Sequence, residues 1–226
     1  RVMGDIDLVV NPADFDRAGL LISEGAEFLG ETFRHSKYRR NNVFVEIHRA
    51  FSSLYDTEKR NYFDRRVFDS IQDAETVFID NHTFFSLPKI EKGLIFLEHI
   101  DNHLEKGLGL RQIIDWMMYV DQELTDEVWH ADFAPFIRQL DREVLAITVT
   151  RMCQMYLGLR EDITWCREAE EDLCADLLLP AQMSGQVLMN IQIGYFFNQS
   201  SCSISTQLVI YCLYMLRDIK MYALIP

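Results

Sequence analysis

The stretch Gly4-Asp5-Ile6-Asp7-Leu8-Val9-Val10, closed by Asn11-Pro12, decides how the first third of this chain is read. Ile6, Leu8 and Val10 alternate with Asp5, Asp7 and Val9, the period of a strand with one apolar face. Asn11-Pro12 ends it, because proline cannot continue an inner strand. On a strand, residues i and i+2 share a face, so the Asp5 and Asp7 carboxylates stand side by side. Two carboxylates that close repel each other, and a divalent cation is the natural compensation. The plainer alternative is a polar strand edge facing water.

Working outward, Ala13 to Gly25 carries Phe15, Ala18, Leu21 and Ile22 at helical spacing, with Gly25 where a helix stops. Glu27 to Phe33 reads as a second strand. Asn41-Asn42 reads as a turn before Val43-Phe-Val-Glu-Ile-His48, where Val43, Val45 and Ile47 alternate with Phe44, Glu46 and His48. Strand, helix, strand, turn and strand in so short a stretch make a small α/β or α+β unit. Glu46 sits at the centre of an apolar strand, where an unpaired carboxylate is costly to bury. If the two strands are neighbours, Glu46 joins Asp5 and Asp7 on one face; otherwise it is held by a salt bridge, for instance to Arg49 or Arg34. His48 shares the Glu46 face and can meet a phosphate, orient Glu46, or serve as a structural histidine. Arg34-His-Ser-Lys-Tyr-Arg-Arg40 holds Arg34, Lys37, Arg39 and Arg40 with no acid among them. These are phosphate-binding groups or a solvated hairpin loop.

From about residue 70 the period is helical almost throughout. Helices are expected over Pro88–Lys106, Leu110–Leu124, Asp126–Leu140, Arg142–Leu157, Glu161–Leu179, Gln182–Phe197 and Ile204–Tyr222. His99 and His103 share a helical face, but no glutamate follows His99 and no cysteine lies nearby, so packing is favoured over zinc. Arg111 and Asp115 form a helix ion pair.

The chain's 226 residues are 49% hydrophobic and 25% charged, enough to bury a real core and too apolar for a disordered chain. With 22 Lys+Arg against 35 Asp+Glu the formal charge is −13, which argues against a general nucleic-acid-coating protein. That charge lies wholly beyond residue 66, since residues 1–66 balance 11 basic against 11 acidic side chains. The longest apolar run near the C-terminal end, Leu208 to Leu216, is well short of the roughly 20 residues needed to span a bilayer. Cys153, Cys166, Cys174, Cys202 and Cys212 are odd in number and show no CxxC spacing. With acidic residues at once after Arg1, they read as reduced, mostly buried thiols of a cytoplasmic protein.

Arg1-Val-Met-Gly-Asp-Ile-Asp-Leu-Val-Val10, Phe44-Val-Glu-Ile-His48, Leu87-Pro88, Leu97-Glu-His-Ile-Asp-Asn-His103 and Leu110-Arg-Gln-Ile-Ile-Asp115 follow one another over roughly residues 1–120. In that order they resemble the bacterial uncharacterised nucleotidyltransferase family, which is similar to the wider DNA polymerase β-like superfamily. The resemblance implies an α+β fold, a nucleotidyltransferase-type mixed sheet core over residues 1–70 followed by a mostly helical domain over 71–226. It implies two Mg²⁺ ions and an NTP donor such as ATP, with transfer of the nucleotidyl group to a hydroxyl-type acceptor. By motif, Asp5 and Asp7 would be the paired metal ligands and Glu46 the third carboxylate and general base. Arg34, Lys37, Arg39, Arg40 and His48 are the candidates for the phosphates. The superfamily sets a Gly-Gly or Gly-Ser helix start just upstream of the paired aspartates, where backbone N–H groups hold the triphosphate. The expectation is that this segment precedes Arg1. The acidic charge points to a small-molecule or protein acceptor. A non-catalytic binding or regulatory protein that keeps the fold is the alternative, recognisable by carboxylates spread apart or tied up in salt bridges. A metal hydrolase using His99 and His103 is the third reading.

Overall fold

A computed structural model describes residues 5–79, 81–104 and 108–169. The helices expected over Gln182–Phe197 and Ile204–Tyr222, and the end of the one expected over Glu161–Leu179, lie outside these residues. The described chain is α+β, and its residues divide into two compact units between Asp73 and Ala74.

The first unit is built on a mixed four-stranded sheet of order β1-β4-β3-β2. Its strands are β1 (Asp5–Val9), β2 (Glu27–Glu31), β3 (His35–Arg40) and β4 (Val43–His48). β1 runs parallel to β4, and the other neighbours are antiparallel. After β1, Pro12 opens a short 3₁₀ turn capped by Asn11, whose Oδ1 accepts the Ala13 N–H at 3.0 Å. The turn leads into helix α1 (Phe15–Ser23). α1 covers one face of the sheet, where Phe15, Ala18, Tyr38 and Ile47 form a buried core with Val10, Ile22, Ala26 and Val45 against it. Each large side chain buried there contributes about 1.5–3 kcal/mol. The approach is close at Gly19, where a Cβ would stand 2.8 Å from the Tyr38 hydroxyl oxygen.

The basic stretch before the turn is a strand rather than a loop. Ser36 and Tyr38 are buried while Lys37 and Arg39 face the other way, and the ladder to β4 supplies what the charged sequence lacks in β-propensity. Asn41 and Asn42 form the two-residue connection with φ of 49° and 63°, the left-handed pair that a tight hairpin needs. Beyond β4 the chain holds a helix that periodicity did not indicate, α2 (Thr57–Asp69). Asp56 caps it by accepting the N–H groups of Glu58 and Lys59 at 2.8 and 3.1 Å.

The second unit opens on a hairpin, β5 (Glu75–Ile79) and β6 (His82–Ser86), inside the stretch expected to be helical almost throughout. Helices α3 (Lys89–Leu104), α4 (Leu110–Glu123) and α7 (Glu143–Leu157) follow the expected periods closely. The helix expected over Asp126–Leu140 is three pieces: α5 (Asp126–Val128), a π turn (Trp129–Phe133) and α6 (Ala134–Arg138). The wider turn brings Trp129 and Phe133 into the core. Trp116 on α4 donates its indole N–H to Thr150 on α7 at 2.9 Å, fully buried.

Residues 161–169 are turns, not the start of a helix. Three tertiary contacts hold them. Gln154 donates to the carbonyls of Arg160 and Ile163, Asp126 accepts from the Thr164 backbone and hydroxyl, and Trp165 stacks on Trp129 at 3.8 Å. Gly158, at φ 80°, ends α7 in a left-handed conformation natural to glycine. His99 and His103 meet edge to face within α3, and Asp101 accepts from Arg142 at 2.6 Å. Arg111 and Asp115 form the expected ion pair at 3.7 Å. Cys153 and Cys166 are free, buried thiols, and burial pushes Cys166 up to about 11. No helix among the described residues is long and apolar enough to cross a membrane.

Candidate active site on the sheet face opposite the core

Because Ile47 and Val45 pack against α1, the alternate residues of β4 point the other way. Register then assembles the site. Asp5 lies opposite Phe44 and Asp7 opposite Glu46 across β1–β4. Glu46 lies opposite Lys37 and His48 opposite His35 across β4–β3. Asp7, Glu46 and Lys37 therefore form one row over three strands, with Asp5 one step along β1.

Side-chain contacts tie the row together. The Lys37 ammonium donates to Glu46 Oε1 at 2.6 Å and stands 3.9 Å from Asp5 Oδ2. Glu46, only 7% exposed, thus has a partner, and that partner is Lys37 rather than Arg49 or Arg34. Arg49 pairs instead with Glu31 at 2.6 Å and lays its guanidinium over the Phe15 ring. His48 donates from Nε2 to Asp7 Oδ1 at 2.7 Å, with its Nδ1 facing the Ala50 carbonyl at 3.4 Å. The Glu46 hydrogen bond raises the Lys37 pKa. Burial lowers that of His35, against the pull of Glu46.

The remaining basic residues do not converge. Arg39 shares the face of Lys37 but bonds Glu27 through two nitrogens, at 2.6 and 3.1 Å. Arg40 falls on the α1 side with its guanidinium beside Gly25. Arg34 precedes β3, and its guanidinium lies over the Phe33 ring. His35 went unread in the sequence. Its signal was its place two residues before Lys37, which counts to the same face once the stretch is taken as a strand.

The donor chemistry fits a magnesium-type ion at the carboxylates. Asp5 and Asp7 offer only oxygens, and the Lys37 ammonium already bridges Asp5 and Glu46 as a cation would. Among the described residues, the group whose ligand atoms all lie within 4.8 Å of one another is a different one, His35, Glu46 and His48.

No curated protein and no solved structure matches the chain significantly. Residues 1–158 match the family model described as uncharacterised nucleotidyltransferase, well over half of the sequence, and the chain belongs to that family.

Proposed function

We propose that this protein transfers a nucleoside monophosphate from an NTP to a hydroxyl on a small molecule or protein, with Asp5, Asp7 and Glu46 as its carboxylate centre. In this reading residues 1–70 are the catalytic core and residues 71–226 a second, mostly helical domain of a cytoplasmic enzyme. The observation that carries it is the row Asp7–Glu46–Lys37 across β1, β4 and β3, with Asp5 beside it on the face opposite the core. Family membership supports nucleotidyl transfer in general.

In the reaction the acceptor oxygen bonds to the α-phosphorus, the bond to the β-phosphate oxygen breaks, and pyrophosphate leaves. Asp5 and Asp7, with Glu46, would hold Mg²⁺, which when bound neutralises phosphate charge and favours the ionised acceptor. Glu46 takes the acceptor proton. It is held for that task between Lys37 and the two histidines, on a rigid inner strand. Lys37 is about one-third exposed, so its ammonium can swing from Glu46 to the triphosphate. His48 orients Asp7 through the 2.7 Å bond.

One observation favours the second reading, a regulatory protein that keeps the fold: Glu46 and Asp7 each already hold a basic partner at 2.6–2.7 Å. Calorimetry separates the two. NTP is titrated into the full chain with and without Mg²⁺, for wild type and Asp5→Asn/Asp7→Asn. Mg²⁺-dependent binding that weakens by roughly 100-fold or more in the double variant, about 2.7 kcal/mol, is expected. Wild type that binds no NTP with Mg²⁺ present would sink the enzyme reading.

A further inference from the structure

The two histidines that converge on Glu46 Oε2 give it a chemistry of its own. Glu46 divides its oxygens: Oε1 takes the Lys37 ammonium at 2.6 Å, while Oε2 faces His35 Nε2 at 3.4 Å and His48 Nε2 at 3.8 Å. We propose that His35, Glu46 and His48 form a binding site for a divalent transition metal of zinc's chemistry, different in donor type from the oxygen pair of Asp5 and Asp7. It shares Glu46 and His48 with the proposed catalytic row, so this metal and the roles given there to Glu46 and His48 are alternative states of one sheet face.

Donor type comes first. Mg²⁺ takes oxygen ligands and keeps its water, whereas two imidazole nitrogens and one carboxylate suit zinc, cobalt and their neighbours. Spacing agrees. Two ligands each about 2.0–2.1 Å from a tetrahedral ion stand about 3.4 Å apart. The two nitrogen-to-oxygen separations are 3.4 and 3.8 Å, and all three ligand atoms lie within 4.8 Å of one another. A small side-chain adjustment closes the difference.

The site is also built in advance. His35 and His48 are register partners on adjacent strands, and Glu46 is two residues from His48 on the same face. The His48 ring is stacked on Phe51 at 4.3 Å and 13° between planes. Its Nδ1 faces the Ala50 carbonyl, the outer-shell partner that turns Nε2 toward a metal. The three side chains are 18%, 10% and 12% exposed, unlike a solvated surface cluster. Charge is consistent too. Asp5, Asp7 and Glu46 against the Lys37 ammonium leave two negative charges, those of one divalent ion, while Arg39 is already paired with Glu27. Metal binding takes the Nε2 lone pair of His48, so the bond from Nε2 to Asp7 breaks and the neutral ring carries its one proton on Nδ1, donated to the Ala50 carbonyl.

The test is titration of the chelator-treated full chain with Co²⁺ alone, read by visible absorption, followed by displacement with Zn²⁺ in a calorimeter. One equivalent of Co²⁺ with intense tetrahedral bands, displaced by Zn²⁺ and not by millimolar Mg²⁺, is expected. His35→Gln and His48→Gln should each weaken binding by about 100-fold or more, beyond the 10–100-fold that changes outside the ligand shell cost. Asp5→Asn should leave the Co²⁺ spectrum in place. That separates this site from the nucleotidyl-transfer reading, which a failure of NTP binding would remove without touching these bands. Weak octahedral bands in wild type, or thiolate-to-cobalt charge transfer in the near ultraviolet, would overturn the proposal without any variant. Folded histidine variants, checked by circular dichroism, that bind Co²⁺ like wild type would overturn it as well.

Discussion

Glu46 shows what a single residue discloses and what it withholds. A carboxylate at the centre of an apolar strand must have a partner, and the sequence alone said so. Which partner depended on register. Lys37 and Glu46 stand four residues to either side of Asn41-Asn42, so a two-residue hairpin turn brings them opposite. Arg34 and Arg49, the alternatives by proximity, are engaged elsewhere. The pair makes a measurable claim. Lys37→Met leaves Oε1 of a buried carboxylate unpaired and should lower stability by about 1 kcal/mol, the modest end of the range for an unmet polar group because Lys37 is partly solvated. Glu46→Gln added to Lys37→Met removes the stranded charge and should return most of that loss. Chemical denaturation of the two single variants and the double variant checks it. Strict additivity would mean that the 2.6 Å contact holds nothing in place.

At the scale of the element, β1, α1, β4, α3, α4 and α7 were legible because period, turn residues and caps agreed for each. β3 was not, since Lys37, Arg39 and Arg40 read as a solvated loop and their strand character comes from pairing on both sides. The turns at residues 161–169 defeated the helical period for a similar reason: Gln154, Asp126 and Trp129 hold them from outside the segment. α2 has a cap in Asp56 but a weakly apolar face, burying only Phe63 and Val67. It is tied to the exit of β4 by Asp64, which accepts the N–H groups of Phe51 and Ser52 at 2.8 and 3.1 Å. Burial raises the Asp64 pKa, although both backbone bonds oppose the shift. Between its ordinary value of 3.8 and the raised one, the folded chain binds more protons than the unfolded chain. Stability from this group is therefore full below 3.8 and lost as pH rises through the folded value, so the charged form costs stability at neutral pH. Asp64→Asn keeps an acceptor oxygen for both N–H groups and removes the charge. It should melt higher than wild type at pH 7, with the advantage shrinking as pH falls through the carboxylate range. An advantage that grew on acidification would contradict the assignment of burial as the dominant cause.

At the scale of the whole molecule, charge constrains the acceptor more than fold does. Residues 1–73 carry 11 basic and 13 acidic side chains, and the remainder carries 11 basic and 22 acidic. Neither part has the basic excess that releases counterions from a phosphate backbone, the term that supplies non-specific nucleic-acid affinity. Within the first unit several cations are also internally engaged: Lys37 with Glu46, Arg39 with Glu27, Arg49 with Glu31. A single triphosphate needs only a few donors and the metal's charge, which one local row can supply. A long strand needs a continuous basic track, and freeing these cations would cost the ion pairs that link β3 to β4, β3 to β2 and the residue after β4 to β2. Fluorescence anisotropy with a labelled single-stranded RNA of about 20 nucleotides, at low and at physiological salt, should therefore give dissociation constants weaker than about 10⁻⁴ M, the weak end of ordinary non-specific binding. Mg²⁺-NTP should bind the same preparation far more tightly. Micromolar RNA binding with a steep salt dependence would mean that the acidic surplus is segregated away from a basic track, and the acceptor would then be sought among nucleic acids.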